Sequence, residues 1–573
     1  MLILLILTLP NLCAVLMAGS QRALAVMLLI QGAALLLLPA ILGGRLQTWL
    51  KLCLPVGVLV PAAAAFVLTT GYQPSEWALL LLIEANDAEF REFAAGIALA
   101  LITAPLLILG LRWMVRRWVP ANFQFQGLEK AGIGTLALLL PITETSMIGL
   151  PHGLEPSFKR LEKTFPFSIG IGAWKCREAR QKLVRRNSLQ HSFTVQRAPN
   201  LENHRQIHLL MLGETCRYAN FSRHGYARIT SPKLDARGSS LLDFTDVVSP
   251  ASYTSLSVPM LLTGRDATCH PAAPHSPSLL NVFREAGYKV YWLSTQKKAG
   301  VFETSSSLYA QDADEARFLS GLLDASSSGG YTSALDTEFI PAVRDLLARQ
   351  EPRVLIICHS MGSHARYVDR YPPEFGRFPA DPSLCVNAKY EPRLTEEQKT
   401  HLQNSYDNSI LFTDHVIDQL IQVLESQAGA AATFTFLPDH GENDGSALMM
   451  PFAHGINSVD VLHVPMFIWL SPEIRRLREP QTRLLAGRQH APFSGAHLFD
   501  TLIDLAGIEC SLVRPQRSLS HPGYDPGPRW VSDENGSGHR DFDLTIAPLG
   551  KRKGWQPLFP QNPASSPAAA GNQ

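Results

Sequence analysis

Three short apolar runs, far apart in the chain, each stop at acidic or imidazole side chains. Ile207 to Leu212 has no breaker, reaches Gly213, and is followed at once by Glu214. Val354 to Cys358 (VLIIC) gives way to His359-Ser360-Met361-Gly362-Ser363-His364, and Thr433 to Leu437 (TFTFL) to Pro438-Asp439-His440-Gly441-Glu442-Asn443. Uncharged runs of this length, bounded by turn residues, read as buried strands. Core packing does not require a carboxylate or an imidazole just past the last residue of each strand. In an open α/β sheet the carboxyl edge is where ligands bind, so the pattern predicts a mostly parallel sheet with a site made by its loops. Tyr288 to Leu293 and Val464 to Leu470 read as further strands of it. Between the first two runs lies a hydroxyl-rich segment, Tyr253-Thr254-Ser255-Leu256-Ser257-Val258-Pro259. A carboxylate and a hydroxyl at one sheet edge suggest a metal and a nucleophile.

At 573 residues the chain exceeds one ordinary domain. Its net charge of +1 carries no nucleic-acid signal. That balance hides a division: residues 1–150 are mostly apolar, and the remainder has ordinary globular composition. Ala23 to Gly43, Leu52 to Thr70 and Phe93 to Leu111 each approach the ~20 residues that cross a bilayer. Leu2 to Ala18 is shorter, and Ala131 to Leu150 carries Glu144 and Pro141. The alternative of a signal peptide at Leu2 to Ala18 lacks a basic start and a clear cleavage site. The expectation is a transmembrane domain of about five helices over residues 1–150. Arg45 and Lys51, then Arg112, Arg116 and Arg117, mark the second and fourth loops as cytoplasmic, whereas the loop Tyr72 to Glu92 is acidic. Five spans then place the rest of the chain outside the inner membrane, in the periplasm of a Gram-negative cell.

Residues 151–204 are expected to form an interfacial linker. Ala173 to Arg186 is basic and helical in pattern, suited either to anionic headgroups or to a solvated connector. Residues 205–510 would form the catalytic domain. Residues 511–573, rich in Pro, Gly and Ser, read as a largely disordered tail. The eight cysteines show no zinc-finger spacing and name no disulfide pair.

Five motifs occur in order behind the apolar region. They are GET-x-R-x-x-NFS-x-x-GY-x-R at Gly213 to Arg228, the segment Thr254 to Pro259, GSH at Gly362 to His364, NSYDNS at Asn404 to Ser409, and DHGE at Asp439 to Glu442. Together they resemble the phosphoethanolamine transferases of the bacterial inner membrane, in the alkaline phosphatase and sulfatase superfamily, over roughly residues 20–510. The resemblance implies an α-helical transmembrane domain joined to a sulfatase-like α/β catalytic domain. It implies Zn²⁺ held by Glu214, Asp439 and His440, with Thr254 as nucleophile and further metal contact. His364 and His454 would lie near the substrate phosphate. Glu89, in EANDAEF, resembles an acidic residue near the donor headgroup, although Ala85 stands where the family usually has Thr.

Carboxylate, imidazole and hydroxyl oxygens suit tetrahedral zinc. Coordination lowers the pKa of a hydroxyl and stabilises charge on phosphoryl oxygens. The expected reaction is attack on phosphatidylethanolamine, release of diacylglycerol, and transfer from a phosphoethanolamine–threonine adduct to an envelope acceptor. That acceptor could be lipid A, the lipopolysaccharide core or a periplasmic glycan. The chain is expected to work as a monomer among membrane lipids. Ser252, Ser255 and Ser257 compete with Thr254, and only the motif selects it. His359 reads as a structural strand-end residue, and Asn404 as a helix cap. Pro250 and Met260 stand where many members carry a cysteine pair, and Trp292 to Gln296 departs from the form seen in members that modify lipid A. Alternative readings are a phosphoglycerol transferase or a sulfatase-like hydrolase. A sulfatase needs Cys or Ser in C/S-x-P-x-R, and here Leu261 replaces that Arg.

Overall fold

A computed structural model describes residues 2–17, 22–70, 87–148, 164–174, 177, 192–269, 276–296, 308–320, 334–385, 394–445, 452–533, 536 and 538–548. The chain divides into two compact units, the first made of Met1–Val184 with the short segments Ala299–Val301 and Leu322–Thr332, and the second of Arg185–Lys298, Phe302–Gly321 and Ser333–Gln573.

In the first unit the apolar runs are helical, and two of them are interrupted. Leu2 to Ala18 becomes two helices, Leu2–Leu7 and Leu9–Met17, that meet at Thr8. Pro10 has no N–H to continue the ladder there, and the Thr8 hydroxyl donates to Leu4 O at 2.8 Å. Leu52 to Thr70 is broken by a 3₁₀ turn, Leu54–Val58, around Pro55 and Gly57, before a helix resumes at Val60–Thr70. Phe93 to Leu111 lies inside a longer helix, Asp87–Trp118, and Ala131 to Leu150 largely coincides with Gly127–Ile148. Among the described residues no helix is long and apolar enough to cross a membrane. Ala23 to Gly43 coincides with a single helix, Arg22–Ile41, so only Leu2 to Ala18 and Leu52 to Thr70 differ from continuous runs. A buried amide clamps this unit: Asn11 donates to Phe165 O and accepts from Phe165 N, each at 2.9 Å. Most of Ala173 to Arg186 lies outside the described residues.

The second unit is built on a seven-stranded sheet. Its strands are β1 (Gln206–Gly213), β2 (Leu241–Phe244), β3 (Lys289–Ser294), β4 (Glu315–Phe318), β5 (Arg353–His359), β6 (Ala431–Pro438) and β7 (Met466–Leu470), in the spatial order β2-β7-β6-β1-β5-β3-β4. β6, β1, β5, β3 and β4 are parallel, whereas β7 runs antiparallel to both β6 and β2. The sheet is thus mixed, and β7 needs no long crossover helix after β6.

β1 and β6 are buried along their whole length, because helices cover both faces. Leu210 and Leu212 face one core, with Leu261 on helix α1 (Thr254–Thr263). Leu209 and Met211 face the other, with Phe339 on α2 (Phe339–Ala348) and Ile417 on α3 (Glu396–Glu425).

Helix α3 starts earlier than NSYDNS suggested. Thr395 is its cap, in a reciprocal pair with Gln398, so Asn404 is interior rather than terminal. The buried face of NSYDNS instead holds the loop after β1. Asp407 accepts from Asn220 (2.8 Å), Tyr226 (2.9 Å) and Arg228 (2.8 Å), while the Tyr406 hydroxyl donates to Thr215 O and accepts from Arg217 N, both at 2.8 Å. Two motifs far apart in sequence are halves of one polar network. Asp407→Ala leaves those donors without an acceptor in a buried setting. It should lower unfolding free energy by about 3 kcal/mol, read by chemical denaturation.

The expected tail is ordered through residue 548, apart from a few residues outside the described set. Trp530–Ser532 pairs antiparallel with His539–Asp541, followed by a turn of helix at Phe542–Ile546. Val531, Phe542 and Ile546 pack with Val248, Val459 and Leu462. Low hydrophobic density suggests a tail, but these few apolar residues complete a cluster supplied by the sheet unit. Residues 549–573 lie outside the described set.

Candidate metal and nucleophile site

Strand register assembles the site. Gly213 is paired with Pro438, so the residues that follow, Glu214 and Asp439, emerge side by side. Leu212 pairs with His359 on the other flank. Gly213 is required by space: a Cβ there would lie 2.7 Å from the Phe436 ring. The chain then turns sharply at Thr215, whose φ of 57° is left-handed. Its hydroxyl donates to Glu214 Oε1 at 2.6 Å, and its amide to Asp439 Oδ1 at 3.2 Å. Gly362, φ 45°, closes over the same turn, where a Cβ would sit 2.6 Å from Glu214 O.

Each donor atom is aimed by a neighbour. Gln296 donates to Glu214 Oε2 at 3.2 Å and to Ser360 O at 2.8 Å. Ser257 donates to Asp439 O at 2.6 Å, and Ser249 donates to the same carbonyl. His440 Nδ1 lies 2.8 Å from Gly441 O. A carbonyl only accepts, so Nδ1 carries the proton and Nε2 presents a lone pair to the cluster.

The atoms converge. His440 Nε2 lies 3.6 Å from Glu214 Oε1, 3.4 Å from Asp439 Oδ2 and 3.4 Å from Thr254 Oγ1. Thr254 Oγ1 lies 3.2 Å from Glu214 Oε2. Thr254 is the first residue of α1, where the positive end of the helix favours an anion. Ser252 and Ser257 are buried and Ser255 is exposed. Of the four hydroxyls, only Thr254 has hydrogen bonds to Glu214 and His440 among the described residues.

Electrostatics make this cluster uncomfortable without a cation. Burial, and then the charge of Asp439, push the Glu214 carboxyl well above the usual carboxylate range, against hydrogen bonds from Thr215 and Thr254. Burial lowers the His440 imidazole pKa, keeping it neutral. Glu214 and Asp439 are 2% and 1% exposed. Among the described residues no Lys or Arg pairs with either, and Asp439 Oδ2 has no hydrogen-bond donor. Two buried carboxylates, a neutral imidazole and one undonated oxygen, their ligand atoms all within 4.8 Å of one another, fit a divalent cation.

The other expected residues fall at different distances. The His454 ring centroid lies 4.3 Å from that of His440, and His454 Nδ1 is 3.5 Å from Glu442 Oε1. His364 stands one ring further out, 6.0 Å from His454. Glu89 is on the helix Asp87–Trp118, but its side chain lies outside the described residues. His359 is buried with Nδ1 3.3 Å from Ser294 Oγ, and burial lowers its pKa to about 4, as suits a structural residue. Seven described cysteines are free. Gln296 and Glu442 were not singled out from the sequence. Glu442 sat in view within DHGE, and its partner Tyr367, donating at 2.9 Å, explains its fixed position.

The family described as Sulfatase matches residues 206–508. The phosphoethanolamine transferase EptC of Escherichia coli is 24% identical over 495 residues, covering 82% of this chain and 82% of its own. The crystal structure of the C-terminal periplasmic domain of EptC from Escherichia coli, in complex with Zn, matches with a TM-score of 0.55 at 25% identity, over 64% of this chain and 100% of that one. The integral membrane protein lipooligosaccharide phosphoethanolamine transferase A (EptA) from Neisseria meningitidis shares its fold with a TM-score of 0.52 at 21% identity, over 90% of this chain and 97% of its own. The mixed sheet and the carboxyl-edge cluster fall within the matched segment, and the chain belongs to the sulfatase family, as a homologue of the phosphoethanolamine transferases.

Proposed function

We propose that the chain transfers phosphoethanolamine from phosphatidylethanolamine to an envelope acceptor through an adduct on Thr254. The observation that carries this is Thr254 Oγ1 at a helix start, 3.2 Å from Glu214 and 3.4 Å from His440. Glu214, Asp439, His440 and Thr254 would hold zinc, which when bound supplies Lewis acidity to the hydroxyl and to the phosphoryl oxygens. The zinc complex of the Escherichia coli domain supports that choice of metal.

Thr254 Oγ would give up its proton to solvent and attack the donor phosphorus in line. The bond from phosphorus to the diacylglycerol oxygen would break with its electron pair on that oxygen; the proton lost by the acceptor in the second half restores the Thr254 hydroxyl. His454, whose Nδ1 lies 3.5 Å from Glu442 Oε1, or His364 beyond it, would give the leaving oxygen its proton and orient the phosphate. Diacylglycerol departs, and an acceptor oxygen then attacks the adduct and frees Thr254. Glu89 would meet the donor's ammonium headgroup.

The first unit would anchor the chain in the inner membrane with the second in the periplasm. The fold shared with an integral membrane protein over most of the chain supports this. Acceptor candidates remain lipid A, the lipopolysaccharide core and a periplasmic glycan. A sulfatase-like hydrolase would use Ser257 as its modified residue, yet Ser257 is buried and donates to Asp439 O rather than facing the cluster. Comparative mass spectrometry of envelope lipids and glycans from cells with and without the protein tests the reading. The expected result is phosphoethanolamine additions that vanish with the protein. Glycerol phosphate additions would favour the phosphoglycerol alternative, and an unchanged envelope would sink both.

A further inference from the structure

Nothing in the reaction requires the carboxyl-terminal arm, yet it is wrapped around the nucleophile loop. We infer that Arg529 is a positioning residue for Thr254, an inference that rests on the proposed role of Thr254. Arg529 locks the arm, Trp530 to Ile546, across the outside of the loop Asp246 to Tyr253 and so fixes the start of α1 over the metal ligands.

Arg529 is 2% exposed and bridges two carboxylates. Its Nε and Nη2 form a fork on Asp543, at 2.9 and 2.5 Å, and its Nη1 reaches Asp246 Oδ1 at 2.5 Å and Asp246 O at 3.1 Å. The guanidinium carbon also lies 5.2 Å from the centre of the Phe542 ring. Asp543 belongs to the arm. Asp246 lies just before the strand pair Val247–Val248 that leads into the nucleophile loop. One buried side chain therefore joins the arm's end to the loop's beginning.

From there the arm meets the loop at successive points. Val531 and Phe542 cover Val248. Ser532 N donates to Pro250 O at 2.9 Å. Trp530 packs with Ala251, Leu256 and Met260. Ser532 O also accepts from Asn457 at 2.8 Å, just past His454, and Gly455 N donates to Ser252 O at 3.0 Å. The arm thus ties the Thr254 loop to the His454 loop. Both loops lack a covalent brace: the described cysteines are free, and Pro250 and Met260 flank Thr254. Among the described residues Arg529 has no hydrogen bond or ion pair to the cluster or to His454. Its influence on the chemistry passes through Asp246, Pro250 and Ser532.

A purely structural ion pair and a positioning device make different predictions. Loss of a structural pair lowers the fraction of chains that are folded and loaded. Loss of positioning leaves that fraction intact and slows each chain, and a displacement of about 1 Å can slow a reaction on the order of 100-fold.

The test uses the full chain in detergent with phosphatidylethanolamine, comparing wild type, Arg529→Gln, Arg529→Lys and Asp543→Asn. It reads zinc content, the fraction of chains labelled at Thr254, kcat and KM. In Arg529→Gln, zinc content and labelled fraction should match wild type, KM should hold, and kcat should fall roughly 10- to 100-fold. Arg529→Lys keeps a cation between the carboxylates but loses the fork, so it should fall between. Asp543→Asn removes the arm's half of the bridge and should show the same split, which covers the case in which Arg529→Gln does not fold. A fall in labelled fraction with an unchanged rate per labelled chain would overturn the inference, as would unchanged kcat in every variant. A wild type that takes no label would overturn the Thr254 reading, and this inference with it.

Discussion

Thr254→Ala should abolish transfer while leaving a metal site behind. The substitution removes the attacking oxygen and one contact to the cluster, yet Glu214, Asp439 and His440 keep their aiming partners in Gln296, Ser257 and Gly441. Loss of a covalent nucleophile lowers turnover by on the order of 10⁴-fold or more, because no other group supplies the first half of a double displacement. Diacylglycerol release from phosphatidylethanolamine measures it directly. Thr254→Ser keeps the oxygen at the same helix start and should retain part of the activity. If Thr254→Ala turned over at a substantial fraction of the wild-type rate, a neighbouring serine or water would be the attacking group.

Asp439→Asn should lose the metal and the activity together. The amide still offers Oδ1 to Thr215 N and His440 N, which lie 3.2 and 2.8 Å away in the wild type, so the turn should survive. What changes is Oδ2, the oxygen with no donor, which becomes an NH₂ pointing into the cation position. A donor N–H there repels a cation where a carboxylate oxygen would bind it. Zinc content measured on the purified chain should drop, and activity should fall at least on the order of 100-fold. Full zinc occupancy in this variant would mean that the metal sits elsewhere. Full activity after exhaustive chelation of the wild type would remove the metal from the mechanism.

The grouping of Glu214, Asp439 and His440 is readable because it follows directly from strand ends. Glu214 and Asp439 come one residue after buried apolar runs, and parallel register does the rest by pairing Gly213 with Pro438. His440 is carried along by Asp439. What could not be read depends on contacts across the fold. Gln296 reaches Glu214 only because β3 and β1 both flank β5, and no local spacing reveals that. NSYDNS looked like a helix start because Asn and Asp favour caps. Its polar residues instead face inward from mid-helix to satisfy the loop after β1. The antiparallel direction of β7 leaves no mark in its own apolar run. The arm after Ser511 reads as tail-like because few of its residues are apolar, yet Val531, Phe542 and Ile546 are buried by a cluster that other elements complete. The proline breaks at Pro10 and Pro55 were present in the sequence, but the apolar runs around them outweighed them in the reading of spans.

The adduct on Thr254 distinguishes double from single displacement. Full-length protein is incubated with phosphatidylethanolamine and no acceptor, then digested and mapped by mass spectrometry. A double displacement through Thr254 predicts diacylglycerol release and a phosphoethanolamine mass on the peptide containing Thr254, localised to that residue and absent in Thr254→Ala. An adduct localised to Ser252, Ser255 or Ser257 would contradict the choice of nucleophile. No adduct on any residue, with normal transfer once acceptor is added, would contradict the covalent mechanism and indicate direct displacement.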